Sequence, residues 1–120
     1  MKHKYTRCII AGSRTFEDYQ TLKHQCEKLL EKLKHVQIIC GGAKGTDALA
    51  IQFAKEYQYE LVVVPPDWKT FQNAAGFVRN AAMVEYSDML IAFWDGESSG
   101  TKHIIDLAQL RGLEVYVFRV

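Results

Sequence analysis

Five short apolar runs, each followed by a turn signal or the chain's end, alternate with segments of helical periodicity, and this alternation constrains the fold most. Residues 7–11 run into Gly12, residues 36–40 into Gly41 and Gly42, residues 60–64 into Pro65 and Pro66, and residues 88–94 into Asp95 and Gly96. Residues 114–119 form the fifth run. Near-continuous Val, Ile and Leu predicts strands covered on both faces, as in a parallel sheet. Between the runs, Leu22, Cys26, Leu29, Leu30 and Leu33 recur at helical spacing within residues 16–34, and Thr15 with Asp18 has the pattern of a capping box. Residues 46–57, 73–86 and 100–111 carry three further helical patterns, the last stopped by Gly112. The spacing predicts one α/β domain over residues 1–120, a Rossmann-like three-layer sandwich with a five-stranded parallel sheet and right-handed crossovers. The expected strand order is 3-2-1-4-5, with 2-1-3-4-5 as its main competitor.

At 120 residues and 48% hydrophobic content the chain can build one sizeable core. Its formal net charge of +1 lacks the basic excess that drives binding to long nucleic acids, although a small anion needs only local charge. Cys8, Cys26 and Cys40 are odd in number and widely spaced, so buried free thiols in a reducing compartment are expected rather than a disulfide. His3, His24, His35 and His103 have no metal-like spacing, and neither a metal nor an organic cofactor is expected. The apolar stretches are too short to span a bilayer and the N-terminus shows no signal-peptide core, so the expected location is cytoplasmic, with no membrane partner.

In an open α/β sheet, ligands bind beyond the carboxyl ends of the strands, where the winding reverses. The expected order brings three Gly-rich loops to that point: Gly12, Ser13, Arg14 and Thr15; Gly41, Gly42, Ala43, Lys44, Gly45, Thr46 and Asp47; and Gly96, Glu97, Ser98, Ser99, Gly100 and Thr101. The second loop lies between a strand and a helix N-terminus, where bare backbone N–H groups and the helix dipole favour an anion, and phosphate is the natural occupant. Lys44 adds a charge, Thr46 a donor, and Asp47 an acceptor for ribose hydroxyls or a helix cap. Arg14 and Arg79 suit bidentate phosphate recognition, Asn80 can bind phosphate, ribose or base, and Ser98, Ser99 and Thr101 offer hydroxyls. Ser99 also suits an N-cap. Trp68 is expected to pack a long loop, with stacking on a base or a subunit contact as other roles. No Gly-Lys is followed by Ser or Thr, and G-x-G-x-x-G does not follow the first strand, which disfavours P-loop hydrolysis and ordinary dinucleotide dehydrogenase chemistry.

Taken together, Ala11, Gly12, Ser13 and Arg14, the loop from Gly41 to Asp47, Arg79 and Asn80 with Met83, and Ser99, Gly100 and Thr101 resemble the SLOG superfamily over nearly the whole chain. Its short YspA-like branch is the nearest. The resemblance implies a Rossmann-like fold that binds nucleotides or nucleotide-derived ligands in sensing, processing or conflict systems of bacteria and phages. It also includes the Lonely Guy phosphoribohydrolases, which use an arginine and a glutamate within P-G-G-x-G-T-x-x-E. Gly100 and Thr101 match the G-T of that motif and Arg79 can match the arginine, but Glu97 and Ser98 replace the paired glycines and Ile104 replaces the glutamate. An isoleucine neither stabilises a cationic ribose nor handles a proton.

The expected function is recognition of a nucleotide or nucleotide-derived small molecule, for sensing, sequestration or processing. An N-glycosidase or phosphoribohydrolase is the alternative, with Arg79 orienting phosphate and Glu97 or Asp47 as the assisting acid. DprA-like relatives bind single-stranded DNA, and a nucleic-acid accessory role is a third, weaker reading because no Lys/Arg cluster is present. A homo-oligomer is expected, since so small a sheet leaves edges and helix faces uncovered and the superfamily commonly dimerises.

Overall fold

A computed structural model describes residues 6–120; His3 lies outside them. Strands β1 (Thr6–Gly12), β2 (Val36–Cys40), β3 (Glu60–Val63), β4 (Met89–Trp94) and β5 (Glu114–Arg119) alternate with helices α1 (Tyr19–Leu30), α2 (Thr46–Glu56), α3 (Trp68–Phe71), α4 (Ala75–Tyr86) and α5 (Ser99–Leu110). A turn of 3₁₀ helix, Gln72–Ala74, joins α3 to α4. All neighbouring strands pair in parallel in the order β3-β2-β1-β4-β5, the expected one. The competing order is excluded by the direct pairing of β1 with β4, Cys8 opposite Met89.

Strand side chains alternate between faces, so successive residues feed two cores. Cys8 and Ile10 of β1, Ile38 and Cys40 of β2, and Ile91 and Phe93 of β4 pack with Leu22, Cys26 and Leu30 of α1 and Ala50, Phe53 and Ala54 of α2. Ile9, Ala11, Ile39, Leu90 and Ala92 pack on the other face against Met83 and Val84 of α4 and Ile104, Ile105 and Ala108 of α5. Full double coverage holds for β2 and nearly so for β1 and β4; the edge strands β3 and β5 are half-buried to exposed, because each has a strand on one side only.

Three local expectations change. α1 starts at Tyr19 with Asp18 as its cap, accepting from the Thr21 N–H at 3.1 Å, rather than at a box begun by Thr15. The preceding loop is held by its own contacts: the Phe16 N–H donates to the Ser13 carbonyl and its ring stacks on Phe93 at 5.4 Å, so the helix cannot begin sooner. α5 starts one residue earlier than expected, with Ser98 rather than Ser99 at its cap. The stretch after Pro65 and Pro66, expected as a loop, contains α3.

All three cysteines are buried free thiols, and burial pushes Cys40 up to about 11, Cys26 up to about 12 and Cys8 well above its ordinary value. Among the described residues no helix is long and apolar enough to cross a membrane, and no group of three His, Cys, Asp or Glu is placed to hold a metal ion.

Candidate functional site

Parallel strands all end at one edge, so the loops leaving β1, β2, β3 and β4 share it, and there they enclose a crevice of about 680 Å³. It runs from Ser98, Ser99, Gly100 and Thr101 at the start of α5, past Gly12, Arg14 and Thr15, to Gly41, Gly42, Ala43 and Asp47, and on to Pro65, Pro66 and Trp68. α4 lines it with Gly76, Phe77, Arg79, Asn80 and Met83.

Close packing of the loops determines which groups reach that space. A Cβ on Gly12 would lie 2.2 Å from the Phe93 carbonyl oxygen and 2.6 Å from Thr46 Oγ1. Gly45 has φ +72°, and a Cβ there would lie 2.3 Å from the Arg14 carbonyl oxygen. The loops after β1 and β2 therefore meet backbone to backbone. Ser13 stitches the three Gly-rich loops together: its carbonyl accepts from Thr46 N–H at 3.2 Å and Thr46 Oγ1 at 3.0 Å, and its hydroxyl accepts from the Asp95 N–H at 3.0 Å.

Most of the expected site residues line the crevice, but Ser13, Lys44, Gly45, Thr46 and Glu97 do not. Ser13 and Thr46 are buried beneath it, committed to each other. Gly45 is the packing glycine under Arg14. Lys44 and Glu97 are exposed, and the Glu97 N–H is tied to Asp95 Oδ1 at 2.8 Å. Among the catalytic candidates, Arg79 and Asp47 line the crevice and Glu97 does not.

Asp47 stands in the first turn of α2, only 7% exposed, and its Oδ2 accepts from the Ala43 N–H at 3.0 Å. Burial pushes its carboxyl above the ordinary value, against the lowering influence of that N–H and of Arg79. Asp47 thus holds the loop before α2 and puts an acid in the first turn of a helix that no side chain caps. Arg79 is half-buried; Nη1 donates to the Gly41 carbonyl at 3.0 Å and to Val64 O at 3.5 Å, and Nε to Asn80 Oδ1 at 3.0 Å. It braces the ends of β2 and β3 against α4. Asn80 passes the brace to α5, donating to the Gly100 carbonyl at 3.2 Å and standing 3.1 Å from His103 Nδ1, whose ring packs on Phe77.

The α5 N-terminus differs in carrying no acid in its first turn. Asp95 takes the N–H groups of Ser98 and Glu97, both at 2.8 Å, and these bonds, Ser98 first, lower its carboxyl below the ordinary value. The Ser98 hydroxyl turns to Ser13 Oγ and Asp95 Oδ2, so among the described residues no side chain caps α5. Ser99, Gly100 and Thr101 open on the crevice, and a Cβ on Gly100 would meet no heavy atom within 4 Å outside its own stretch of helix.

Trp68 is 60% exposed on the crevice wall, so it does not pack the loop as expected. Thr15 lines the crevice with Gly12 and Arg14 of its loop, and Pro65, Pro66, Asn73 and Gly76 are further lining residues that the sequence did not place in the site. A signal existed for the prolines, which end a strand run at the same sheet edge; none marked Asn73 or Gly76, which depend on how α3 and α4 are connected.

A family model described as YspA, cpYpsA-related SLOG family matches residues 6–71. The Gene 61 protein of Mycobacterium phage D29 is 33% identical over 119 residues, spanning 93% of this chain and 95% of that protein. The X-ray structure of DNA processing protein A (DprA) from Streptococcus pneumoniae superposes with a TM-score of 0.77 at 16% identity, a likeness of fold. The match covers 95% of this chain but 50% of that one, so this chain spans half the length of its structural neighbour.

Proposed function

This chain belongs to the YspA, cpYpsA-related SLOG family, and from the geometry of its crevice we propose that it binds a nucleotide or nucleotide-derived small molecule, for sensing, sequestration or processing. The observation that carries the reading is the contrast between two helix N-termini at one sheet edge. Neither helix has a side-chain cap, but Asp47 stands in the first turn of α2, where its carboxylate would repel phosphate, whereas the first turn of α5 carries no acid and its Ser99, Gly100 and Thr101 line the crevice. In this reading the phosphate lies on α5 rather than on the loop that contains Lys44. Asp47, two strands away, accepts from ribose hydroxyls, and Arg14 and Arg79 balance the charge. Arg79 has most of its donors engaged by the protein, so it acts by holding Gly41 and Asn80 in place and lending positive potential.

A hydrolytic second reading is favoured by one observation: a buried carboxylate with a raised pKa, Asp47, lines the same crevice as Arg79. Asp47 then takes the acid role for which Glu97 is misplaced and Ile104 chemically unfit. Half-exposed edge strands support a homo-oligomer, and three buried thiols suit a reducing, cytoplasmic setting. DNA processing, named for the structural neighbour, is not carried over at a net charge of +1.

Calorimetric titration with AMP, GMP, CMP and UMP, followed by chromatography for released base, tests both readings. Binding without release supports recognition alone; release that disappears in Arg79→Ala and Asp47→Asn supports hydrolysis. No binding to any of the four, together with no retained small molecule in native mass spectra, refutes the proposal.

A further inference from the structure

We propose that Trp68 is the platform on which the ligand's base stacks, so that the ligand lies across the carboxyl ends of four strands with phosphate over β4 and base over β3. The inference rests on the binding function proposed above and goes beyond it by giving the ligand a direction.

Four observations converge. The crevice changes character along its length: an uncapped helix N-terminus and hydroxyls follow β4, a carboxylate follows β2, and two prolines with an indole follow β3. Trp68 is 60% exposed yet belongs to the crevice wall, an arrangement that leaves a large aromatic face open to a flat partner. Its placement is fixed rather than loose. Pro65 and Pro66 restrict the approach, Asp67 caps α3 by accepting from the Thr70 N–H at 3.0 Å, and Gln72, at φ +50°, turns the chain into the next helix. From β4 to β3 is three strand spacings, about 14 Å, which an extended nucleotide approaches only when measured from its phosphate oxygens to the far edge of its base. A sugar phosphate would cover only the portion between α5 and Asp47. Gly76 keeps the α4 side of the crevice clear, since a Cβ there would meet nothing within 4 Å outside its own stretch of helix.

The test uses AMP, GMP, CMP, UMP and ribose 5-phosphate on the full chain, with affinities from calorimetry and Trp fluorescence as a second readout. The chain has two tryptophans, and Trp94 is half-buried with Nε1 bonded to the Ser98 carbonyl, so its variant counterpart Trp68→Phe isolates the Trp68 signal. Expected are quenching by nucleotides that vanishes in Trp68→Phe, and binding of ribose 5-phosphate at least tenfold weaker than AMP without quenching. Trp68→Ala should weaken nucleotides roughly 5- to 150-fold while leaving ribose 5-phosphate and the melting temperature unchanged, and Trp68→Phe should retain most of the affinity. Nucleotide affinity unchanged in Trp68→Ala, or ribose 5-phosphate binding as tightly as AMP, overturns the platform while sparing the binding function. A dimer that Trp68→Ala splits with nucleotide affinity intact makes Trp68 a subunit contact and also overturns it. No nucleotide binding to the unaltered chain sinks both.

Discussion

Gly100→Ala should make the protein more stable and bind its ligand worse. Gly100 is the second residue of α5, and among the described residues outside that helix no heavy atom stands within 4 Å of its added Cβ. Alanine therefore clashes with nothing and recovers the helical preference that glycine lacks, about 0.5 kcal/mol in a first turn, where the backbone is only partly constrained. The donation from Asn80 to residue 100 uses the main-chain carbonyl and survives. A gain of that size raises the melting temperature by about 2 °C in a chain of this length. In the bound state the new methyl group projects into the space assigned to phosphate. Losing one charge-assisted N–H contact is worth roughly 1.5–3 kcal/mol, or about 10- to 100-fold in Kd. Ligand at 100 times the parent Kd stabilises the parent by about 2.7 kcal/mol, and by linkage a tenfold weaker variant gains only about 1.4 kcal/mol. The order of melting temperatures should therefore reverse: variant above parent without AMP, parent above variant with it. Circular-dichroism melts with and without AMP, and calorimetric Kd values, read both effects. AMP affinity equal to the parent's, with the stability gain present, would show that the anion does not sit on α5.

Three further outcomes follow from the packing and the titrating groups. Gly45→Ala forces a side chain to φ +72° and to 2.3 Å from the Arg14 carbonyl oxygen, and should destabilise by about 2–4 kcal/mol in denaturant melts; a loss under about 1 kcal/mol would contradict the backbone contact. Burial raises the Asp47 carboxyl above its ordinary 3.8, so the folded state holds that proton longer than the unfolded chain. Stability from this group is present at low pH and is lost as pH rises through the folded pKa. Asp47→Asn should thus hold or raise the melting temperature at neutral pH, flatten its fall between the two pKa values, and weaken AMP more than 2′-deoxy-AMP; a marked loss of neutral-pH stability would count against it. The three thiols, Cys40 at about 11, Cys26 at about 12 and Cys8 higher still, should resist Ellman's reagent near neutral pH and all react in guanidinium, and rapid native labelling would refute their burial.

Strand order was legible as far as the first half can wind one way from strand one and the second half the other, and the pairing of β1 with β4 decides it against 2-1-3-4-5. Near-continuous apolar runs marked the strands as covered on both faces, and Cys8 with Ile10 and Ile9 with Ala11 do divide between two helix layers. What failed to show was local and depended on tertiary contact. The start of α1 at Asp18 is decided by Phe16 stacking on Phe93, seventy-seven positions away in sequence. α3 is too short to have a period. Lys44 looked like a phosphate ligand because it sits in a Gly-rich loop, but its neighbour Gly45 is the residue pressed against Arg14, and the lysine is left outside the crevice.

The two helix N-termini show why counting glycines misplaces an anion. The loop from Gly41 to Asp47 has three glycines and the approach to α5 has two, so composition favours α2. An anion site needs N–H groups without partners, and that is a question of where each bond goes. At α2 the Thr46 N–H goes to the Ser13 carbonyl, and Asp47 in the first turn, held by the loop's Ala43 N–H, puts a negative charge in place. At α5 the acceptors that might have capped the helix are spent one turn earlier: Asp95 takes Ser98 and Glu97, and the Ser98 hydroxyl is held by Ser13 and Asp95. Ser13, read from the sequence as a ligand contact, thus acts on the site by drawing Ser98 away from its own helix. Ser13→Ala removes one of the two partners that hold the Ser98 hydroxyl, Asp95 being the other, and as Ser98 turns to cap α5 the AMP affinity should fall although residue 13 never touches the ligand.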